Sequence, residues 1–194
     1  MRYKIGIVGK GFVGSAVAHG FSSAVGYDAR ILIYDKDPKK RLNSLDEVVS
    51  QSDIVFISVP TPSDENGFIN LDILDFCLNE INEKCIKNNS FNSIYLIRST
   101  VVPGTTAMFQ KKYKKLKLVF NPEFLTERSA HFDFISQTRI VLGGKNKDIS
   151  LVKKLYQDRF GKNLTIMETS FQTAELIKYV CNNFFALKVS FLNE

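Results

Sequence analysis

Short apolar runs alternate with amphipathic stretches along most of the chain. Lys4–Val8, Arg30–Tyr34, Ile54–Val59, Ser93–Ile97, Leu116–Phe120, Arg139–Leu142 and Leu164–Met167 are almost continuously apolar. Strands covered by helices on both faces have this pattern. Between them, residues 12–24, 71–87, 105–115 and 149–160 place their apolar side chains at helical spacing. Asn70 is positioned to cap the second of these helices, and Gly104 marks entry to the third. Strands alternating with helices predict an α/β fold with a doubly wound, mainly parallel sheet and helices on both faces.

The last stretch breaks that rhythm. From Phe171 to Glu194 there is no Gly or Pro, and the helical period runs to the final residue. Leu176, Val180, Phe184, Leu187 and Phe191 form one stripe, which Ile177, Tyr179, Phe185 and Val189 widen. A helix this apolar needs partners on most sides. The expectation is a fragment: residues 1–168 form one domain, and residues 169–194 begin a second, helical one.

Composition narrows the class. The chain has 194 residues, 44% hydrophobic and 24% charged. That is enough for one substantial domain or one domain and part of another, at about 100–200 residues each. A fold of this size buries roughly 70% of its unfolded surface and needs neither disulfides nor a structural metal. No run approaches the ~20 apolar residues of a membrane span, and Lys10 interrupts the apolar start that would otherwise imitate a secretory signal. Three cysteines fit a reducing compartment, so the cytoplasm is expected. Cys77 and Cys85 sit eight residues apart on one helix, about 12 Å at ~1.5 Å per residue, too far for a bridge. The net charge of +6 includes a patch at Lys111, Lys112, Lys114, Lys115 and Lys117, read as a solvated helix end. No stacking aromatics interleave with it, so nucleic acid is not expected; an anionic small ligand suits the charge. His19 and His131 have no ligand spacing around them, and no metal is expected.

The first strand runs into Gly9-Lys10-Gly11-Phe12-Val13-Gly14, which opens the first helix. Gly9 suits a tight turn, Gly11 lets backbone approach a diphosphate, and Gly14 lets helix pack on strand. The helix N-terminus then offers N–H groups to the phosphates. The next strand ends in Asp35, about 20 residues on, where a carboxylate accepts ribose hydroxyls and repels a 2′-phosphate. This predicts a Rossmann-like fold and NAD as the cofactor, while Lys36, Lys39, Lys40 and Arg41, which follow, leave some tolerance for NADP. Later strands end at Val59-Pro60-Thr61-Pro62, at Arg98-Ser99-Thr100 and at Asn121-Pro122-Glu123-Phe124-Leu125-Thr126-Glu127. The hydroxyls of Ser99 and Thr100 could serve cofactor or substrate, or cap the following helix. Glu123 and Glu127 suit acid–base work if they share a cleft, and surface charge otherwise. Lys178 and Asn182, four apart on an apolar helix, are either aimed at a pocket or part of a solvent-facing stripe.

Together the segments IGIVGKGFVGSAVA, YDKDP, ISVPTPSDENG, RSTVVPGTT, NPEFLTERSA, RIVLGG and ELIKYVCNNFFALKVSFLNE resemble the nucleotide-sugar 6-dehydrogenase family, in family order and across essentially the whole chain. The resemblance implies oxidation of the C6 alcohol of a nucleotide sugar such as UDP-glucose to a carboxylate. Two NAD are reduced, through an aldehyde, a cysteine thiohemiacetal and a thioester. It assigns catalytic roles to Thr100, Glu123, Lys178 and Asn182, with Lys178 and Asn182 as donors to an oxyanion. It assigns cofactor contacts to Gly9, Gly11, Phe12, Val13, Gly14, Asp35, Lys40, Val59, Pro60, Thr61, Ser99, Thr100 and Glu127. Substrate contacts fall to Glu123, Phe124, Leu125, Glu127, Lys178 and Asn182. The resemblance also implies a homodimer built through the last helix. The chain departs from the family in lacking its GFGGxC nucleophile motif and its nucleotide-binding domain. Arg128 stands where many members have Gly, and Asn70 replaces a common Asp. Cys181 lies at the wrong motif position and points away from Lys178 and Asn182, so it reads as a packed small residue. A β-hydroxyacid or 6-phosphogluconate dehydrogenase, or a non-catalytic NAD-binding module, are the alternatives.

Overall fold

The computed structural model describes residues 3–194. In chain order the elements are β1 (Lys4–Val8), α1 (Phe12–Gly20), β2 (Arg30–Tyr34), α2 (Leu45–Gln51), β3 (Ile54–Ile57), α3 (Asp72–Lys87) and β4 (Ile94–Ile97). They continue with α4 (Thr105–Lys112), β5 (Lys117–Phe120), α5 (Ala130–Ile135), β6 (Arg139–Gly144), α6 (Asn146–Phe160), β7 (Thr165–Thr169) and α7 (Phe171–Asn193). The strands form one sheet in the order β2-β1-β3-β4-β5-β6-β7, parallel except where β6 runs against β5. Strand order reverses direction at β1, so a crevice opens beyond the carboxyl ends of β1 and β3, where open α/β sheets bind ligands.

Alternation along each strand divides the core in two. Val55 and Ile57 of β3 face a layer containing Leu74, Leu78 and Ile81 of α3. Ile54 and Phe56 face the opposite layer, with Ala16 and Val17 of α1 and Val152 and Tyr156 of α6. The doubly wound architecture read from the apolar runs is therefore the one observed.

Several details differ from the sequence reading. Helix α2 went unread although Ser44-Leu45-Asp46-Glu47 is a capping box. The Glu47 N–H donates to Ser44 Oγ at 3.1 Å, and the Ser44 N–H donates to Glu47 Oε2 at 2.7 Å. Helix α5 was also missed. The β5–β6 connection contains only this six-residue helix, about 9 Å of rise, and the chain re-enters the sheet from the edge it left, so β6 is antiparallel. Helix α1 stops at Gly20, not at residue 24, where a Cβ would lie 2.1 Å from the Phe134 ring of α5. Asn70 caps from one residue further out than expected: Leu71 holds the N-cap position, while Asn70 Oδ1 accepts from the Asp72 N–H at 2.8 Å. Strand β7 is not covered on both faces; it is an edge strand with Thr165, Met167 and Glu168 exposed.

Helix α7 is buried only near its start, at Ala174, Glu175 and Lys178. Beyond them Val180, Phe184, Phe185, Leu187, Val189 and Phe191 are all more than half exposed. Among the described residues no helix is long and apolar enough to cross a membrane.

Candidate functional site

The glycine loop at the end of β1 has the geometry its spacing requires. Gly9 has φ +92°, and a Cβ there would meet the Ser58 carbonyl at 2.5 Å. A Cβ at Gly14 would lie 1.9 Å from the Gly9 carbonyl oxygen. Gly11 differs from both: its backbone is extended, and a Cβ would meet nothing within 4 Å. That open space lies at the start of α1, whose first turn has no side-chain cap and so presents uncapped N–H groups.

Two adjoining clefts meet at Gly11, Ser58, Val59 and Pro60. The larger, about 910 Å³, is lined on one side by Asp35, Lys36 and Lys40 and on the other by Ile73, Phe76 and Cys77 of α3. That volume lies within the ~300–1,000 Å³ of small-molecule sites. The Asp35 carboxylate braces the loop, accepting from the Lys10 N–H at 2.6 Å and the Asp37 N–H at 2.8 Å. Each oxygen has a further lone pair that can accept from a hydroxyl. Among the basic residues after Asp35, Arg41 is committed to structure. Its guanidinium donates to the Asp35 and Lys36 carbonyls and lies 5.0 Å from the centre of the Tyr34 ring. Burial pushes the Cys77 thiol up to about 12, which keeps it protonated.

The smaller cleft, about 280 Å³, gathers Phe12, Val13, Thr61, Arg98, Ser99, Thr100 and Glu123. Its hydroxyls take a role the sequence did not suggest. Ser99 Oγ donates to the Val59 carbonyl at 2.6 Å, and Thr61 Oγ1 donates to the Thr100 carbonyl at 2.7 Å. These bonds stitch the β3 and β4 exits together and still leave acceptor lone pairs.

Glu123 and Lys178, 55 residues apart in sequence, form a buried ion pair. Lys178 Nζ donates to Glu123 Oε1 at 2.7 Å and to the Glu123 carbonyl at 2.5 Å, while the Leu125 N–H donates to Oε2 at 2.7 Å. The Phe124 ring lies between cations, with Lys178 Nζ at 5.6 Å and the Arg139 guanidinium at 4.9 Å from its centre. Asn182 and Glu127 are not brought into this cluster; both are exposed.

The sequence reading missed Glu175 and Arg98. Glu175 is fully buried and its two oxygens accept from the Gly104 N–H at 2.6 Å and the Thr106 N–H at 2.7 Å. It supplies from α7 the cap that α4 lacks locally. A carboxylate on the buried side of an apolar helix was the available signal. Arg98 is 3% exposed. Its side-chain hydrogen bonds leave from Nη1, to Asn121 Oδ1 at 2.7 Å and Tyr156 OH at 3.3 Å, and its buried Nε has no partner. His19 and His131, read separately, stack with ring centres 4.7 Å apart because α1 packs on α5. Among the described residues no group of three or more His, Cys, Asp or Glu could hold a metal ion.

A family model described as the UDP-glucose/GDP-mannose dehydrogenase family, NAD binding domain, matches residues 40–159. A UDP-glucose 6-dehydrogenase of Rickettsia prowazekii is 35% identical over 87% of this chain and 40% of its own length. The UDP-glucose 6-dehydrogenase AglM of Haloferax volcanii is 28% identical over 98% of this chain and 53% of its own. Among solved structures, a UDP-glucose dehydrogenase from Pyrobaculum islandicum aligns with TM-score 0.84 and 25% identity, and a GDP-mannose dehydrogenase from Pseudomonas aeruginosa with 0.79 and 26%. Each alignment covers 98% of this chain and 51% of the other. The chain thus spans about half the length of these relatives, or less.

Proposed function

The chain belongs to the UDP-glucose/GDP-mannose dehydrogenase family and carries its NAD-binding domain, and from that premise we propose that it is the cofactor half of a nucleotide-sugar 6-dehydrogenase. One observation carries the reading. A single crevice runs from Asp35, past the bare Cα of Gly11, to Thr100 and Glu123. That is the order in which a dinucleotide presents a ribose, a diphosphate and a reactive ring.

The residues fit NAD. Asp35 takes adenosine ribose hydroxyls; Gly9, Gly11, Phe12, Val13 and Gly14 offer backbone to the diphosphate. Val59, Pro60, Thr61, Ser99 and Thr100 line the reactive end. Lys40 is the cation on the adenosine side, and Glu127 reaches cofactor or substrate from the loop after β5. When bound, NAD supplies the hydride acceptor. Around the sugar alcohol, Glu123 holds a proton or a water, and Lys178 and Asn182 donate to the oxygen that gains charge. Two of the three ammonium donors of Lys178 are engaged by Glu123, which leaves one for substrate. Phe124 and Leu125 position Glu123 and border the sugar.

The substrate is a nucleotide sugar, with UDP-glucose the leading member, and the enzyme is cytoplasmic. Residues 169–194 begin a central helical domain whose apolar face pairs with a second copy. This chain holds no GFGGxC nucleophile, so by itself it binds NAD without completing the oxidation to acid. The test mixes the chain with UDP-glucose and NAD and follows absorbance at the NADH band. No sustained turnover is expected, while calorimetry detects NAD binding. Robust turnover, or no NAD binding, contradicts the proposal.

A further inference from the structure

Arg98 is a cation almost entirely out of water, and among the described residues it forms no ion pair. Its neighbours are neutral: Asn121 and Tyr156 accept from Nη1, and the Phe56 and Phe134 rings lie 5.9 and 5.8 Å from the guanidinium carbon. A buried charge normally has a partner of opposite sign, because desolvation is costly. Arg98 instead lines the smaller cleft beside Ser99, Thr100 and Glu123, with Nε unpartnered. Glu123 does not neutralise it, since that carboxylate is matched by Lys178. The remaining carboxylates of the crevice, Asp35, Asp37, Asp72 and Glu80, line the larger cleft at its other end and not this one. The inner cleft therefore carries one net positive charge.

On the cofactor reading given above, on which this inference rests, the inner cleft receives the nicotinamide. The oxidised ring is cationic. On reduction it accepts a hydride from the carbinol carbon, two electrons with one proton, and its positive charge disappears; the alcohol's remaining proton leaves to base or water. We propose that Arg98 makes this site discriminate between the redox forms of its cofactor, holding the reduced dinucleotide more tightly than the oxidised one. The guanidinium repels the oxidised ring in a low-dielectric cleft and is indifferent to the neutral reduced ring. Such a preference favours alcohol oxidation, because it destabilises the charge that hydride transfer removes.

The test titrates the intact chain with NADH by fluorescence and displaces it with NAD+ and with ADP-ribose, which lacks the ring. The wild type is expected to hold NADH about tenfold more tightly than NAD+, the scale of one charge acting at partial screening. Arg98→Gln removes most of that ratio and leaves ADP-ribose affinity unchanged; Arg98→Lys, which keeps the charge, retains the ratio. A wild type that holds NAD+ as tightly as NADH overturns the inference without any variant, so it stays falsifiable even if Arg98→Gln fails to fold. An unchanged ratio in Arg98→Gln also overturns it. So does an equal loss for all three ligands, which would make Arg98 a diphosphate contact. If no ligand binds the wild type, the cofactor reading falls and this inference with it, a result distinct from binding without redox preference.

Discussion

At Gly11 and Gly14 the same substitution should do opposite things. A methyl group at Gly14 would overlap the Gly9 carbonyl oxygen at 1.9 Å, backbone against backbone. Gly14→Ala is therefore expected to lower stability by about 3 kcal/mol in urea unfolding, the upper range for overpacking. Gly11 has an extended backbone and empty surroundings, so Gly11→Ala should change stability by less than about 0.5 kcal/mol while weakening NAD binding. If both variants lose only stability, the open space at Gly11 is not a ligand site. The buried Glu123–Lys178 pair gives a third expectation. Lys178→Met leaves an uncompensated buried carboxylate and should cost about 3–5 kcal/mol, whereas pairing it with Glu123→Leu should recover much of the loss. The glycine loop and Asp35 were legible in sequence because their spacing is local and each residue type has a specific backbone task. Arg98 and Glu175 were not, because what makes them unusual is burial opposite particular partners. Arg98 meets Asn121 and Tyr156, 23 and 58 residues away, and Glu175 meets Gly104, 71 residues away.

Among the elements, α7 is fastened to the sheet domain by two buried charges one turn apart. Lys178 engages the exit of β5 and Glu175 caps α4. Glu175→Ala orphans two amides and should cost about 3 kcal/mol, with faster hydrogen exchange at Gly104 and Thr106; unchanged exchange there would contradict the capping role. The α3–α4 contact carries a pH signature. Partial burial alone would raise the Asp75 pKa, but hydrogen bonds from Lys112 and Tyr113 outweigh it and hold the carboxyl below its usual range. A depressed folded-state pKa means that this stabilisation is present above the unfolded value of about 3.9 and lost as pH falls through the folded one. Asp75→Asn should accordingly flatten the acid side of the Tm–pH curve. Long apolar periods made β1 to β5, α3 and α6 readable. The direction of β6 was not, since it depends on α5 being too short to cross the sheet. The exposure of β7 was hidden too: an apolar run does not reveal that its strand is last in the sheet.

For the whole molecule, the contrast lies between a packed α/β sandwich and a helix whose outer half is bare. Val180, Phe184, Leu187 and Phe191 are solvent-exposed along one face of the helix, and exposed apolar faces of this kind mark interaction sites. Under the proposed pairing, sedimentation should detect a dimer that Leu187→Glu dissociates without lowering NAD affinity; a monomer at high concentration would contradict it. On the proposed reading, one crevice at the carboxyl edge of β1 and β3 holds NAD, with Asp35 gripping the ribose. Calorimetric titration of the wild type and of Asp35→Ala with NAD+ tests it most directly. Saturable one-site binding is expected, weakened about tenfold or more in the variant by the loss of a charge-assisted hydrogen bond. Absence of binding, or a variant that binds as well as the wild type, would contradict it.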